Sequence, residues 1–178
     1  MSMSPLWNFL VCGAFDPNRP SGLRWDTNAV EKLSASGSSR PDVKGYYNDV
    51  PVLQVESKGP ARRHGDRRLD IRKLVEELGL PILKDISETR TFPLGARPPM
   101  VVLVYHFNSI VRSYILVGTP GQHVLYTQHQ IDLLKDSLAT IVVKLRAIRD
   151  TAISIGLGYV TVGRPCDEDV CLVADRFN

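Results

Sequence analysis

The sequence predicts an α+β domain in which a single antiparallel sheet is covered by one long C-terminal helix, with an irregular arm at the N-terminus. Three observations carry this. Ile131, Leu134, Leu138, Ile141, Leu145, Ile148, Ala152 and Ile155 are spaced alternately three and four apart, which lines them along one face of a helix. Just before them come three strand-like runs, Met100–Phe107, Val111–Val117 and His123–Thr127, separated by the turn-forming stretches Asn108-Ser109 and Gly118-Thr119-Pro120-Gly121. Repeated long-range alternation of strands and helices is missing, which disfavours a doubly wound parallel sheet.

The long helix is expected from about Gln128 to Ile155, with Gly156 as its stop. A symmetric coiled coil would gather Lys135, Lys144 and Arg149 beside the seam without acidic partners. Leu133, Val143 and Ile153 widen the apolar surface beyond a two-position seam, so the stripe reads as the buried side of a helix on a sheet. Upstream, Val50–Val55 is a strand candidate. Leu69, Leu74, Val75 and Leu78 mark a helix closed by Gly79 and Pro81. A short helix is expected over Thr27–Leu33 with Asp26 as a possible cap, and Ser34–Pro41 reads as a low-complexity loop. Tyr159–Val162 and Val170–Val173 are expected to form a final hairpin. Residues 1–45 are thus an arm and 46–178 a globular domain.

A chain of 178 residues, 43% hydrophobic and 23% charged, suits a single folded core and argues against disorder throughout. A net charge of +3 permits contact with RNA or an anionic membrane without requiring it. No segment approaches the length of apolar residues needed to span a bilayer. The apolar start lacks a basic leader and a small-x-small cleavage site. Cys12, Cys166 and Cys171 lack paired metal-ligand spacing, so neither a metal nor a cofactor is expected.

Chemistry-bearing motifs are sparse. No G-x-S-x-G elbow occurs, the glycine turn before residue 122 has no P-loop lysine, and Asp167-Glu168-Asp169 reads as a solvated turn. No catalytic residue is assigned and no small-molecule substrate is expected. The alternative for an enzyme is a corner built from His106, His123 and His129. The strongest candidate surface is the basic run Lys58, Arg62, Arg63, His64, Arg67, Arg68, Arg72 and Lys73, whose arginines suit phosphates of RNA or lipid headgroups. No aromatics interleave, so contact would be with the backbone and independent of sequence. Trp7, Phe9, Leu10 and Phe15 form a second candidate, either a core strand or an element for self-association or membrane docking.

One resemblance is more specific. Arg149-Asp150-x-Ala152-Ile153-x-Ile155-Gly156-Leu157, then a short strand, a polar turn, Val170-Cys171-Leu172 and Phe177, resembles the tail of rhabdovirus matrix proteins. In that family a helix with a basic-acidic pair runs into an apolar-Gly-apolar stop, followed by a hairpin and a terminal Phe. Pro98-Pro99 is followed by Met100-Val101, so no Pro-Pro-x-Tyr motif is present, nor is a lysine-rich N-terminus. The shorter proteins of plant-infecting members are the closer analogy. The resemblance implies a non-enzymatic structural protein of the virion, present in the host cytoplasm and peripheral at the inner membrane face. Such a protein self-associates and bridges the nucleocapsid to the membrane during assembly. An adaptor directed at the host, or an RNA-binding silencing suppressor using the same basic run, is the alternative.

Overall fold

The computed structural model describes residues 23–26, 43–47, 50–57, 67–89, 100–107, 109–119 and 121–157. Six strands form one sheet in chain order: β1 (Leu23–Asp26), β2 (Val43–Tyr47), β3 (Val50–Ser57), β4 (Val101–Phe107), β5 (Ile110–Thr119) and β6 (Gln122–Asp132). The helices are α1 (Arg67–Arg72), a π-helical segment (Lys73–Gly79), α2 (Leu80–Thr89) and α3 (Leu138–Gly156). The expected α+β class holds, and the meander β4–β5–β6 forms with its predicted turns.

The sheet is mixed, where a wholly antiparallel one was expected. Four pairings are antiparallel, but β3 and β4 run parallel, with Leu53 opposite Val102 and Val55 opposite Val104. The reason lies between them. A helical run carries the chain back along the sheet, so β4 enters in the direction of β3, as parallel neighbours require. The sequence pattern shows this single crossover only as an isolated helix.

Helices also cover both faces of the sheet. Gln54 Nε2 donates to the Leu78 carbonyl at 3.2 Å and Glu56 pairs with Lys73, so the even-numbered side chains of β3 face the π segment. Pleating sends Leu53 and Val55 to the opposite face. There Gln128 of β6 hydrogen-bonds both Ser113 and Thr151 of α3. Strands β3 and β4 lie between the two layers, and Val52, Leu53, Gln54, Val55 and Met100 to Val104 are all buried. The run Met-Val-Val-Leu-Val is what a strand covered on both faces requires.

The helix expected to close at Gly79 and Pro81 continues to Thr89. The π segment explains how. The Leu80 N–H reaches back five residues to the Val75 carbonyl, a widened turn that relieves the crowding before proline. Pro81 then sits at the second residue of α2, directly after this widened turn. Gly79 serves close approach: a Cβ there would lie 2.8 Å from Leu116 Cδ2 and 2.9 Å from the Leu74 carbonyl oxygen.

The long helix starts ten residues later than expected. Gln128–Asp132 remain in β6, paired with β5 through Arg112–Gln130, Val111–Ile131 and Ile110–Asp132. Of the eight stripe residues, Ile141, Leu145, Ile148, Ala152 and Ile155 form the buried face of α3. Ile131 is buried as a strand residue, while Leu134 and Leu138 are exposed. Strand pairing with a long neighbour outweighs helical spacing at Ile131, Leu134 lies in the turn that follows, and Leu138 opens the helix on its exposed side. Leu133 and Ile153 pack partly against the core as expected, but Val143 does not.

The expected arm contains two strands, and its boundary at residue 45 falls within β2. Both were missed because four or five residues carry too little periodicity, and Lys44-Gly45 interrupts the second. The Thr27–Leu33 helix, the Ser34–Pro41 loop, the final hairpin and all three cysteines lie outside the described residues.

Gly156 ends α3 against Tyr47 of β2. A Cβ there would lie 2.6 Å from Tyr47 Cγ and 2.7 Å from its Cβ. Gly156→Ala is expected to lower stability by about 1–3 kcal/mol through overpacking, despite a helix-propensity gain of about 1 kcal/mol. Urea denaturation checks this, and the loss should shrink in a Tyr47→Ala background. An unchanged or raised midpoint would remove the close approach from the account.

Candidate interaction surface

The corner between β6 and α3 is the most closely hydrogen-bonded turn among the described residues, and it holds apolar side chains in solvent. Asp132 organises it. Its Oδ1 accepts from the Leu134 and Lys135 N–H groups at 3.0 and 3.2 Å, the local turn that short acidic side chains favour. Its own N–H donates to Asp136 Oδ2 at 2.9 Å, and its carbonyl accepts from the Asp136 N–H at 2.8 Å. Ser137, extended and preceding the first helical residue, accepts from the Thr140 N–H at 3.2 Å. This cap satisfies an orphan donor and starts α3.

Lys144, two turns into α3, closes the corner. Its ammonium donates to Asp136 Oδ2 at 2.9 Å and to the Gln130 carbonyl at 2.8 Å. The Lys144 hydrogen bond, followed by that from the Asp132 N–H, holds the Asp136 carboxyl below the usual aspartate value. Opposite, the Leu133 N–H donates to the Ser109 carbonyl at 2.8 Å while its side chain packs partly on the core. The chain is thus tied on both sides of Leu134.

Leu134 is 82% exposed, Leu138 61% and Val143 65%. Isolated exposed leucines are ordinary, but these lie within ten residues on one pinned corner. Leu138, Val142 and Arg146 follow one another at four-residue steps along one helix stripe, with Ala139 and Val143 beside it. Lys135 is exposed, meeting Asp132 only at 3.9 Å, and Arg146 is exposed as well. The corner therefore presents a small apolar surface edged by cations.

The predicted basic run divides. Lys58, Arg62, Arg63 and His64 lie outside the described residues, as do Trp7, Phe9, Leu10 and Phe15. Arg67 and Arg68 open α1. Arg72 pairs with Glu76 at 3.0 Å, and Lys73 pairs with Glu56 at 2.8 Å beneath the helix. Lys73 is taken up by the largely buried Glu56, whereas the Arg72 side chain stays 43% exposed beside Glu76. The Glu56–Lys73 pair is legible only once β3 and the π segment are placed together.

The histidine corner is not assembled. His123 lies beside Gly118 near the β5–β6 turn, on the face of the π segment. His129 pairs with Ser113 further along and faces α3, because Gln128 is an extra residue that reverses the alternation. Burial lowers the pKa of His123, against an opposing pull from Glu76. It also lowers that of His129, where Lys144 acts in the same direction. Of His106 only its place in β4 is described. Among the described residues no group of three or more His, Cys, Asp or Glu residues could hold a metal ion, and no helix is long and apolar enough to cross a membrane.

No family model, curated protein or solved structure matches the chain. The part of the tail resemblance that is described, residues 149–157, forms the end of α3. There Arg149 pairs with Asp150 at 2.8 Å and Ile155 is buried.

Lowered histidine pKa values favour the neutral rings in the fold, so that stability should be lost as pH falls below about 6.5 toward the lowered folded values. The lowered Asp136 value adds stability that should be lost at more acid pH, as the carboxylate is protonated. Denaturation midpoints measured from neutral to acid pH should fall in both ranges. Asp136→Asn should keep the first fall and make the second shallower. An identical acid limb in the variant would exclude Asp136 as its source.

Proposed function

We propose that this protein is a non-enzymatic, matrix-like structural protein that self-associates and docks peripherally on an anionic membrane face. The single observation carrying this reading is the β6–α3 corner, where Leu134, Leu138 and Val143 are exposed from a hydrogen-bonded frame beside Lys135 and Arg146. Apolar side chains of this kind enter the interfacial region of a bilayer while cations meet its headgroups. Burying one such aliphatic side chain is worth about 1.5–3 kcal/mol, and each cation near an anionic surface adds about 1 kcal/mol. After the costs of association, one copy would bind weakly. An array of copies multiplies weak contacts, which is the logic of a matrix layer.

The tail resemblance supports the viral part of the proposal: a virion component, found in the host cytoplasm and at the inner membrane face, that bridges membrane and nucleocapsid. Lys58, Arg62, Arg63, Arg67, Arg68 and the partly exposed Arg72 are then the proposed contacts with nucleocapsid or RNA phosphates, while Lys73 is turned to Glu56. Trp7, Phe9, Leu10 and Phe15 remain proposed elements of self-association or docking.

Sedimentation with phosphatidylserine vesicles across a salt series tests the corner. The Leu134→Ser/Leu138→Ser variant should bind about tenfold or more weakly, with its circular dichroism unchanged. Lys135→Gln/Arg146→Gln should weaken binding and flatten its dependence on salt. Equal binding by all variants would discard the corner as the membrane contact. Retention by RNA alone, with no vesicle binding, would favour the RNA-binding alternative.

A further inference from the structure

The side of α3 turned away from the sheet carries an order of its own. Opposite the buried face of Ile141, Leu145, Ile148, Ala152 and Ile155 runs a second stripe at steps of three and four residues. It consists of Ala139, Val143, Arg146, Asp150, Ile153 and Leu157. Leu157 belongs to it because its N–H still donates to the Ile153 carbonyl at 2.9 Å. Ile153 is half-buried and the other five are exposed. Among the described residues α3 packs chiefly on β2, β3, β4 and β6, which lie beneath its other face.

This stripe is complementary to itself when reversed. About a midpoint at Ile148, Ala139 mirrors Leu157, Val143 mirrors Ile153 and Arg146 mirrors Asp150. Apolar thus answers apolar, and cation answers anion. The two charges are not spent on each other within one copy. Arg146 stands four residues before Asp150, the weaker order for a pair within a helix. Asp150 Oδ1 is instead held by Arg149 at 2.8 Å, with the Asp150 side chain still 61% exposed. Arg146 makes no ion pair among the described residues.

We infer that the outward stripe of α3 joins two copies of this chain, antiparallel about a two-fold axis level with Ile148. A contact between identical surfaces must be complementary to itself, and the mirrored charges meet that condition. In the antiparallel pair each guanidinium lies level with the Asp150 carboxylate of the second copy. The exposed Leu157 lies level with Ala139, the smallest side chain of the stripe. A parallel pair would set arginine beside arginine and aspartate beside aspartate, a costly juxtaposition. The inference rests on the self-association in the proposed function and assigns it a contact. Val143 and Arg146 lie where this joint meets the corner, while Leu134, Lys135 and Leu138 stay outside it. The axis runs across the helices, so it keeps Leu138 of both copies on one side of the pair. Two contacts with one membrane require that arrangement.

Sedimentation velocity of the full chain without lipid, from low to high micromolar concentration, tests the joint. Arg146→Asp and Asp150→Arg should each lower the association constant by about tenfold or more, because like charges then meet across the axis. Mixed in equal amounts, the two variants should recover most of the wild-type association, since every acid again faces a base. Misfolding of either variant could not produce that recovery. Val143→Asn/Leu157→Asn should also weaken association by about tenfold or more, with circular dichroism unchanged. A mixture that fails to associate would overturn the antiparallel pairing. If every variant associates like the wild type, α3 is not the joint and the matrix-like reading survives through another surface. If the wild-type chain remains monomeric throughout, both this joint and the self-association are overturned. Vesicle binding by the corner then stands or falls on its own test.

Discussion

The parallel pairing of β3 with β4 is the constraint on which the rest of the molecule depends. Two parallel neighbours cannot be joined by a tight turn, so the chain must cross over the sheet between them. That crossover is the helical run from Arg67 to Thr89, which gives β3 its second buried face. Once both faces are covered, the side chains of β3 have little choice. Val52, Leu53 and Val55 suit such a place. Gln54 and Glu56 are accommodated by the Leu78 carbonyl and Lys73. Burying polar groups in this way is tolerable because partners lie within reach.

The layers meet the sheet in different ways. The π segment approaches closely, with Gly79 against Leu116, while α3 ends with Gly156 against Tyr47. Both glycines were legible as helix stops, yet each is explained by what it touches. Pro81 is similar. Read along the chain it ends a helix; in the fold it follows a widened turn that makes room for it. Local rules identified where something unusual happens, and packing decided what it was.

Much of the architecture was legible for physical reasons that can be named. Continuous apolar runs mark central strands, glycine-rich turns mark the meander, and five residues of the stripe mark the buried side of α3. Leu134 and Leu138 show where that reasoning stops. Their spacing is helical, but Asp132, Asp136 and Ser137 redirect the chain before the helix begins. The exposed apolar corner was hidden inside the pattern that predicted the core. Pairing of Lys73 with Glu56 was equally inaccessible, since the two residues are 17 apart in the chain, whereas Arg72 and Glu76 stand at helical i,i+4 spacing.

The bulge at Gln128 gives β6 two allegiances. Before it, Leu125 belongs to the layer of the π segment; after it, Ile131 belongs to that of α3, although both carry odd numbers and a regular strand would turn them to the same side. One added residue thus works like a half-turn in a ribbon, letting a single edge strand fasten to both halves of the core. It also makes the chain length here non-negotiable. Without that residue, Ile131 would turn away from α3, and the corner that begins at Asp132 would be built on the wrong face of the sheet.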